Sequence, residues 1–403
     1  MLSLPDARAK VIEIMRAARL PVASETVSIN ESLGRVLARS VFADRDYPPF
    51  DRSIRDGFAV RADEVSHPGA VLEIVGETRA GTAFAGAVAP GRCVEIMTGA
   101  AVPAGLDAVI MIEHARIDGR SVKFERAARE GDNIVPRGSE SRSGDELLPS
   151  GKRIGAAEVA VAGQVGRTQL EVAQRPRVAI LSTGDEVVAA DAQPGPLEVR
   201  NSNGASVEAL VKLAGAEPVP LGNARDTLAE LRLNIERGLE SDVLVLSGGV
   251  SAGKYDLVEP VLRELGAEFF FDSVAIRPGR PTVFGICRGK FVFGLPGNPA
   301  STIVTFELFV RPAIEILLGS QPMELPIVAA KLATPVKQKA PLTHFLPARL
   351  ESRGGEPFVQ ELPWPSSGDI VALARATGFL VVRPERLEMA GGEWADYWPR
   401  PDE

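Results

Sequence analysis

Three stretches of this chain run from uninterrupted apolar residues into a glycine-bearing polar turn: "RVAILSTG" from Arg177, "DVLVLSGG" from Asp242 and "KFVFGLPG" from Lys290. The segments between and after them, "NGASVEALVKLAG", "TLAELRLNIERGLE", "DLVEPVLRELG" and "NPASTIVTFELFV", carry helical spacing. Strand and helix in alternation predict a parallel, doubly wound α/β domain over residues 176–322, with ligands at the carboxyl ends of the strands. The polar turns fall at those ends, in one crevice.

At 403 residues the chain exceeds the size at which one core stops growing, so two to four domains are expected. Residues 1–44, read as two helices, are expected to join 145–175 in a helical and mixed N-terminal domain. Short apolar runs split by Gly, Pro and Asp over 45–144 predict an inserted β domain, and 323–403 a last, barrel-like β domain. Net charge is −8, with no concentrated basic run, which argues against nucleic acid and anionic membrane as partners. Two isolated cysteines, Cys93 and Cys287, give neither a disulfide framework nor a zinc site, and fit a reducing compartment. The first twenty residues mix charges into apolar positions as an amphipathic helix does and a signal peptide does not. No run reaches the ~20 apolar residues of a membrane span. A cytoplasmic protein is expected.

"SGGVSAGKYD" matches a phosphate loop at Gly248, Gly253 and Lys254, but Tyr255 stands where that loop needs Ser or Thr for magnesium. It reads instead as another anion-cradling turn, with Gly248, Gly249 and Gly253 permitting close backbone approach and Asp256 adding a carboxylate. "STGDEVV" sets Asp185 and Glu186 after a strand: a helix cap favoured by the dipole, or the paired carboxylates of a Mg²⁺ site on a phosphorylated substrate. "YPPFDRSIRDGFAVR" is a proline-stiffened linker, or a mount presenting Asp56 to a cation. "AIRPGRPTVFG" holds Arg277 and Arg280 about a rigid turn, suited to an oxyanion such as phosphate or molybdate if not simply solvated. "GLPGNPAST" is a good helix start with Asn298 or Ser301 capping, and equally an anion site. His67, His114 and His344 lie apart, so zinc sites and Ser-His triads are poorly supported.

Together, "FDRSIRDGFA", "IMTGA", "STGDE", "RNSNG", "SGGVSAGKYD", "RPGRP" and "GLPGNPAS", in this order along most of the chain, closely resemble the molybdopterin molybdenumtransferase family, which includes the gephyrin E domain. The resemblance implies an enzyme that inserts molybdate into adenylylated molybdopterin with Mg²⁺, releasing AMP. It implies a homodimer with a shared cleft, and a molybdopterin-adenylylating protein as upstream partner. It assigns catalytic roles to Asp56, Asp185, Glu186 and Asp256, with Asp185, Glu186 and Asp256 as metal ligands. Substrate binding falls to Thr98, Asp226, Gly248, Gly249, Ser251, Gly253, Arg277, Arg280, Pro296, Pro299 and Ser301. The chain departs from the family pattern in carrying Arg277 and Arg280 where Lys is common, Ser141 after Glu140 where an acidic pair is common, Pro347 near a usual Arg, and Ile54-Arg55 before Asp56. Two rival readings are a non-catalytic dimeric scaffold of the same fold and a nucleotide phosphotransferase using the Gly248–Lys254 loop.

Overall fold

The computed structural model describes residues 1–249 and 257–400. Its backbone contacts divide it into two compact units, residues 27–33 with 39–170, and residues 1–26 with 34–38 and 171 onward.

The first unit is built on a six-stranded mixed sheet in the order Ala108–Met111, Gly57–Val60, Arg92–Ile96, Val71–Thr78, Ser121–Phe124, Ala115–Asp118. Side chains alternate across it, so each face has its own core: Phe58, Val60, Cys93 and Phe124 on one, Ala59, Val94, Ile96 and Val109 on the other. Phe58 and Phe124 meet edge to face at 5.9 Å. The strand Gly57–Val60 begins at a glycine for a steric reason. A Cβ there would stand 1.9 Å from the Ile110 carbonyl oxygen of the adjoining strand, so no other residue lets the two backbones approach as they do.

In the second unit, four parallel strands, ordered Glu217–Ala224, Arg177–Thr183, Val243–Ser247 and Lys290–Leu295, continue into two antiparallel ones, Val283–Cys287 and Glu268–Phe271. Val178, Ile180, Val243 and Val245 face one way, against the helices Ser202–Ala214, Pro299–Thr305 and Arg311–Leu317. Ala179, Leu181, Leu244 and Leu246 face the other, against Leu228–Gly238 and Val258–Glu264. Both faces are covered, which is why these strands read as continuous apolar runs. The helix Leu4–Ala17, started by Ser3 accepting the Asp6 N–H at 3.2 Å, buries Ala7, Val11 and Met15 in the first of these cores.

The second helix expected within residues 30–44 does not form. A short 3-10 turn, Ile29–Glu31, is followed by Gly34 in the left-handed region and by Val41–Phe42, which pairs with Glu146–Leu148. Val36, Leu37, Val41 and Ala43 are buried all the same, on an extended backbone rather than a helical face.

Near the C-terminus, Thr343–Arg353, Glu356–Glu361, Val328–Leu332, Trp394–Pro399 and Gly378–Val382 pair in that order. The last returns to the first, closing a five-stranded barrel around Leu332, Leu346, Val359, Leu380 and Tyr397. The two-residue strand Ile276–Arg277 pairs with its edge. No helix among the described residues is long and apolar enough to cross a membrane.

Candidate active site

The parallel strands end in a web of side-chain amides and hydroxyls. Asn203, in the first turn of the Ser202–Ala214 helix, donates both amide hydrogens, to Ser247 Oγ at 2.8 Å and to the Gly297 carbonyl at 2.7 Å. One side chain thus ties the second polar turn to the third. Asn201 caps the same helix through the Gly204 N–H at 2.8 Å and accepts the Ser182 hydroxyl at 2.9 Å. Asn223 holds the first turn by donating to the Gly184 and Val187 carbonyls, both at 3.0 Å. In each clasp the amide orientation is fixed, and the buried Oδ1 of Asn203 and of Asn223 and the buried Thr183 Oγ1 have no hydrogen-bond partner among the described residues. Buried polar atoms without a partner are uncommon, and three of them gather at these strand ends. These asparagines were not among the expected site residues; the signal for two of them lay in "RNSNG", where a cap residue is followed by a second asparagine.

Gly248 sits where these turns crowd together. Its φ is +95°, and a Cβ would meet the Thr183 carbonyl oxygen at 2.7 Å. In an anion-cradling turn a backbone N–H would point at the ligand, but that of Gly248 donates to the Leu295 carbonyl at 3.1 Å. Its contribution is steric. Gly249 follows, also with positive φ. Ser251, Gly253 and Asp256 lie outside the described residues.

Asp185 is exposed, and its Oδ1 accepts the Asp226 N–H at 3.1 Å, so these two expected residues are brought together. The Glu186 carboxylate folds back over Gly184. Beside Asp185, between its turn, the Ser202–Ala214 helix and the Glu217–Ala224 strand, opens a cavity of about 570 Å³. Among the described residues no three His, Cys, Asp or Glu side chains group as a metal cage. Asp185 is a single exposed carboxylate there.

The Arg277–Arg280 turn is rigid. The Thr282 hydroxyl donates to the Gly279 carbonyl at 2.6 Å, and Gly279, at φ +109°, presses on Thr305, whose methyl would lie 2.4 Å from a Cβ at that glycine. Both arginines are exposed. Arg277 pairs in register with the fully buried His344, whose imidazole is held below its ordinary pKa by burial first and by the Arg277 charge besides. The helix carrying Thr305 begins at the third polar turn: Pro299 sits in its first turn, the Pro296 carbonyl accepts the Thr302 hydroxyl at 2.7 Å, and Ser301 is buried. Asn298 donates to Ser367 Oγ at 2.7 Å instead of capping the helix.

Asp56 and Thr98 belong to the first unit and meet there. Asp56 Oδ1 accepts the Thr98 backbone N–H at 2.6 Å and the Thr98 hydroxyl at 2.7 Å. These bonds, the backbone one foremost, hold the carboxyl below the usual carboxylate range. Glu140 pairs with Arg52 at 3.0 Å, and Ser141 contributes its carbonyl to the Tyr47 N–H.

Three family models match the chain: the MoeA N-terminal region (domain I and II) over residues 2–166, a probable molybdopterin binding domain over 179–316, and the MoeA C-terminal region (domain IV) over 329–399. The molybdopterin molybdenumtransferase of Bacillus subtilis (strain 168) is 34% identical over 368 residues, 89% of this chain and 86% of that protein. That of Synechocystis sp. (strain ATCC 27184 / PCC 6803 / Kazusa) is 34% identical over 391 residues, covering 96% and 97%. Among solved structures, the molybdopterin biosynthesis moeA protein from Pyrococcus horikosii is 30% identical with a TM-score of 0.76, covering 97% of this chain and 98% of that one.

Proposed function

We propose, from the premise that the chain belongs to the molybdopterin molybdenumtransferase family and serves molybdenum cofactor biosynthesis, that it inserts molybdate into adenylylated molybdopterin and releases AMP. The observation that carries this reading is the convergence of three strand-end turns through Asn203 and Gly248, with Asp185 exposed on the first of them.

The substrates concentrate negative charge on a phosphoanhydride, a dithiolene and an oxyanion, and the site must offset it. Arg277 and Arg280, presented on a locked turn with their guanidinium groups exposed, offer planar donors to an oxyanion such as molybdate. Asp185 and Asp256, with Glu186 on the same turn as Asp185, would hold Mg²⁺, which when bound supplies further positive charge at the phosphoanhydride. The oriented acceptors of Asn203 and Asn223 bind N–H or O–H groups of the organic part. Asp56, kept ionised by Thr98, is assigned the closing of the cleft from a second copy of the chain in a homodimer. A molybdopterin-adenylylating protein is the upstream partner this chemistry requires, and the cytoplasm the compartment that composition favours.

The test is AMP release from adenylylated molybdopterin with Mg²⁺ and graded molybdate. Release should depend on molybdate, and Arg280→Ala should raise the half-saturating molybdate concentration about tenfold or more, the scale of one lost charge-assisted hydrogen bond. Molybdate-independent release, or none, would refute the reading. The scaffold alternative predicts no turnover with the fold intact.

A further inference from the structure

Arg277 is exposed and has neither hydrogen bond nor ion pair among the described residues, whereas His344, its partner across the strand pair, is fully buried. The two stand in register where Ile276–Arg277 runs parallel to Thr343–Arg353, so their side chains leave the pair on one face. A short relay of hydrogen bonds places that two-residue strand. The Ala275 carbonyl accepts the Thr343 N–H at 3.0 Å, and Thr343 follows a tight turn in which the Ala340 carbonyl takes the Leu342 N–H at 2.8 Å. The same Ala340 carbonyl lies 2.9 Å from His344 Nε2. A carbonyl only accepts, so the imidazole carries its proton on Nε2, and Nδ1 is a bare lone pair, buried and without a partner among the described residues. The ring therefore folds the 340–343 turn back under the strand that carries Arg277, and it does so uncharged. An imidazolium would leave its Nδ1–H without an acceptor and repel the guanidinium, which is the sense in which burial first and the Arg277 charge second hold this group below its ordinary pKa. The cations of the adjoining segments are engaged elsewhere or face solvent. Arg383, one past the Val382 that pairs with His344, holds Asp396 at 2.7 Å, Lys337 holds Glu388 at 2.8 Å, and Lys339 and Arg375 are exposed.

Resting on the reading that Arg277 receives an oxyanion, we propose that His344 is the positioning residue of that arginine: through Ala340 it sets the strand that presents the guanidinium, and its neutral ring leaves the charge of Arg277 to be used on the anion. Being fully buried, His344 acts through Arg277 and not on the anion itself. The Gly279 turn fixes the other end of the same short segment, so the arginine is held from both sides, by a glycine pressed on Thr305 and by an imidazole tied to Ala340.

Sodium molybdate would be titrated into the full-length chain by calorimetry, with urea midpoints and AMP release measured on the same preparations. Arg277→Ala should weaken molybdate binding about tenfold, the scale of one lost charge-assisted hydrogen bond. His344→Phe, which keeps a buried ring and loses the N–H to Ala340, should weaken it by a similar factor; His344→Leu serves the same comparison if the larger ring is not accommodated. His344→Gln, whose amide nitrogen can reach Ala340 in place of Nε2, should restore binding to within about twofold of wild type. Adding His344→Phe to Arg277→Ala should weaken binding no further, because the histidine acts through the arginine. Losses that multiply in the double variant would overturn the assignment, as would a His344→Phe chain with a shifted urea midpoint and wild-type molybdate affinity, which is what a packing residue gives. Wild-type molybdate binding that is absent, or indifferent to Arg277→Ala, would overturn it too. Arg277-dependent binding without molybdate-dependent AMP release would instead strike the reaction and leave the positioning role standing.

Discussion

The Asp56–Thr98 pair of the first unit and the Asn203–Gly248 cluster of the second are both polar constructions at strand ends, and they solve opposite problems. At Asp56 one carboxylate oxygen takes both a backbone N–H and a hydroxyl, so that exposed oxygen is occupied before any ligand arrives. At Asn203 and Asn223 the amide hydrogens are used to fix geometry, and their buried Oδ1 atoms, like the buried Thr183 hydroxyl, have no hydrogen-bond partner among the described residues. The glycines follow the same division. Gly57 lets two strands of one sheet close on each other, whereas Gly248 lets separate turns converge. In the second unit, buried polar atoms without a partner among the described residues gather at the strand ends, and such atoms cost stability unless something bonds them.

The hardest way to break that contrast is to attack the two glycines and the clasp. Gly57→Ala would force a methyl into the Ile110 carbonyl, where strand backbone stands on both sides, and should cost the first unit about 3 kcal/mol, read as a fall in its urea midpoint. Asn203→Ala should act elsewhere. It releases Ser247 and Gly297 from each other and deletes the open acceptor, and should lower AMP release about 100-fold, the effect of removing one oriented group from a reacting site. If Asn203→Ala altered only stability, the open acceptor would be incidental and the contrast would fail.

A smaller effect tests the satisfied side. Thr98→Val keeps the backbone donor to Asp56 and loses the hydroxyl, so the Asp56 carboxyl should titrate nearer the ordinary carboxylate value, without reaching it, because the backbone bond is the larger cause. The sign follows from the depression: the stability Asp56 contributes is present above the ordinary carboxylate range, roughly 3.9, and is lost as pH falls through its lowered folded value. An unchanged NMR titration midpoint in the variant would show that the hydroxyl does not act on the carboxylate.

Sequence carried the α/β sheet well because its strands are covered on both faces and therefore wrote themselves as unbroken apolar runs, with helix periodicity between. Residues 30–44 misled because Val36, Leu37 and Val41 are buried through distant pairing, Leu37 with Val172 and Val41 with Leu148, which no local period records. Charged and glycine positions of the site were legible as motifs at strand ends. Asn203 stood only within "RNSNG" with no role attached, and Asn223 carried no signal, since an asparagine that bridges two turns looks in sequence like one that caps a helix or ends a strand. Gly248 shows the converse: its place was legible, but whether its N–H was free depended on Leu295, 47 positions later.

The smallest expected effect is also the one that reads the two units separately. Burial, and next the charge of Glu95, push the Cys93 thiol to about 12, and burial raises Cys287 as well. Thiolate is the reactive form, so neither cysteine of the native chain should be labelled by iodoacetamide near neutral pH, and labelling should begin only as each surrounding core opens in urea. Cys93 lies in a core of the first unit and Cys287 in a core of the second, so each reports its own. Gly57→Ala should bring Cys93 labelling to lower urea and leave Cys287 where it was. If both cysteines shifted together, the two units would be unfolding as one, and the strain at Gly57 could no longer be assigned to a fold completed independently of the ligand site.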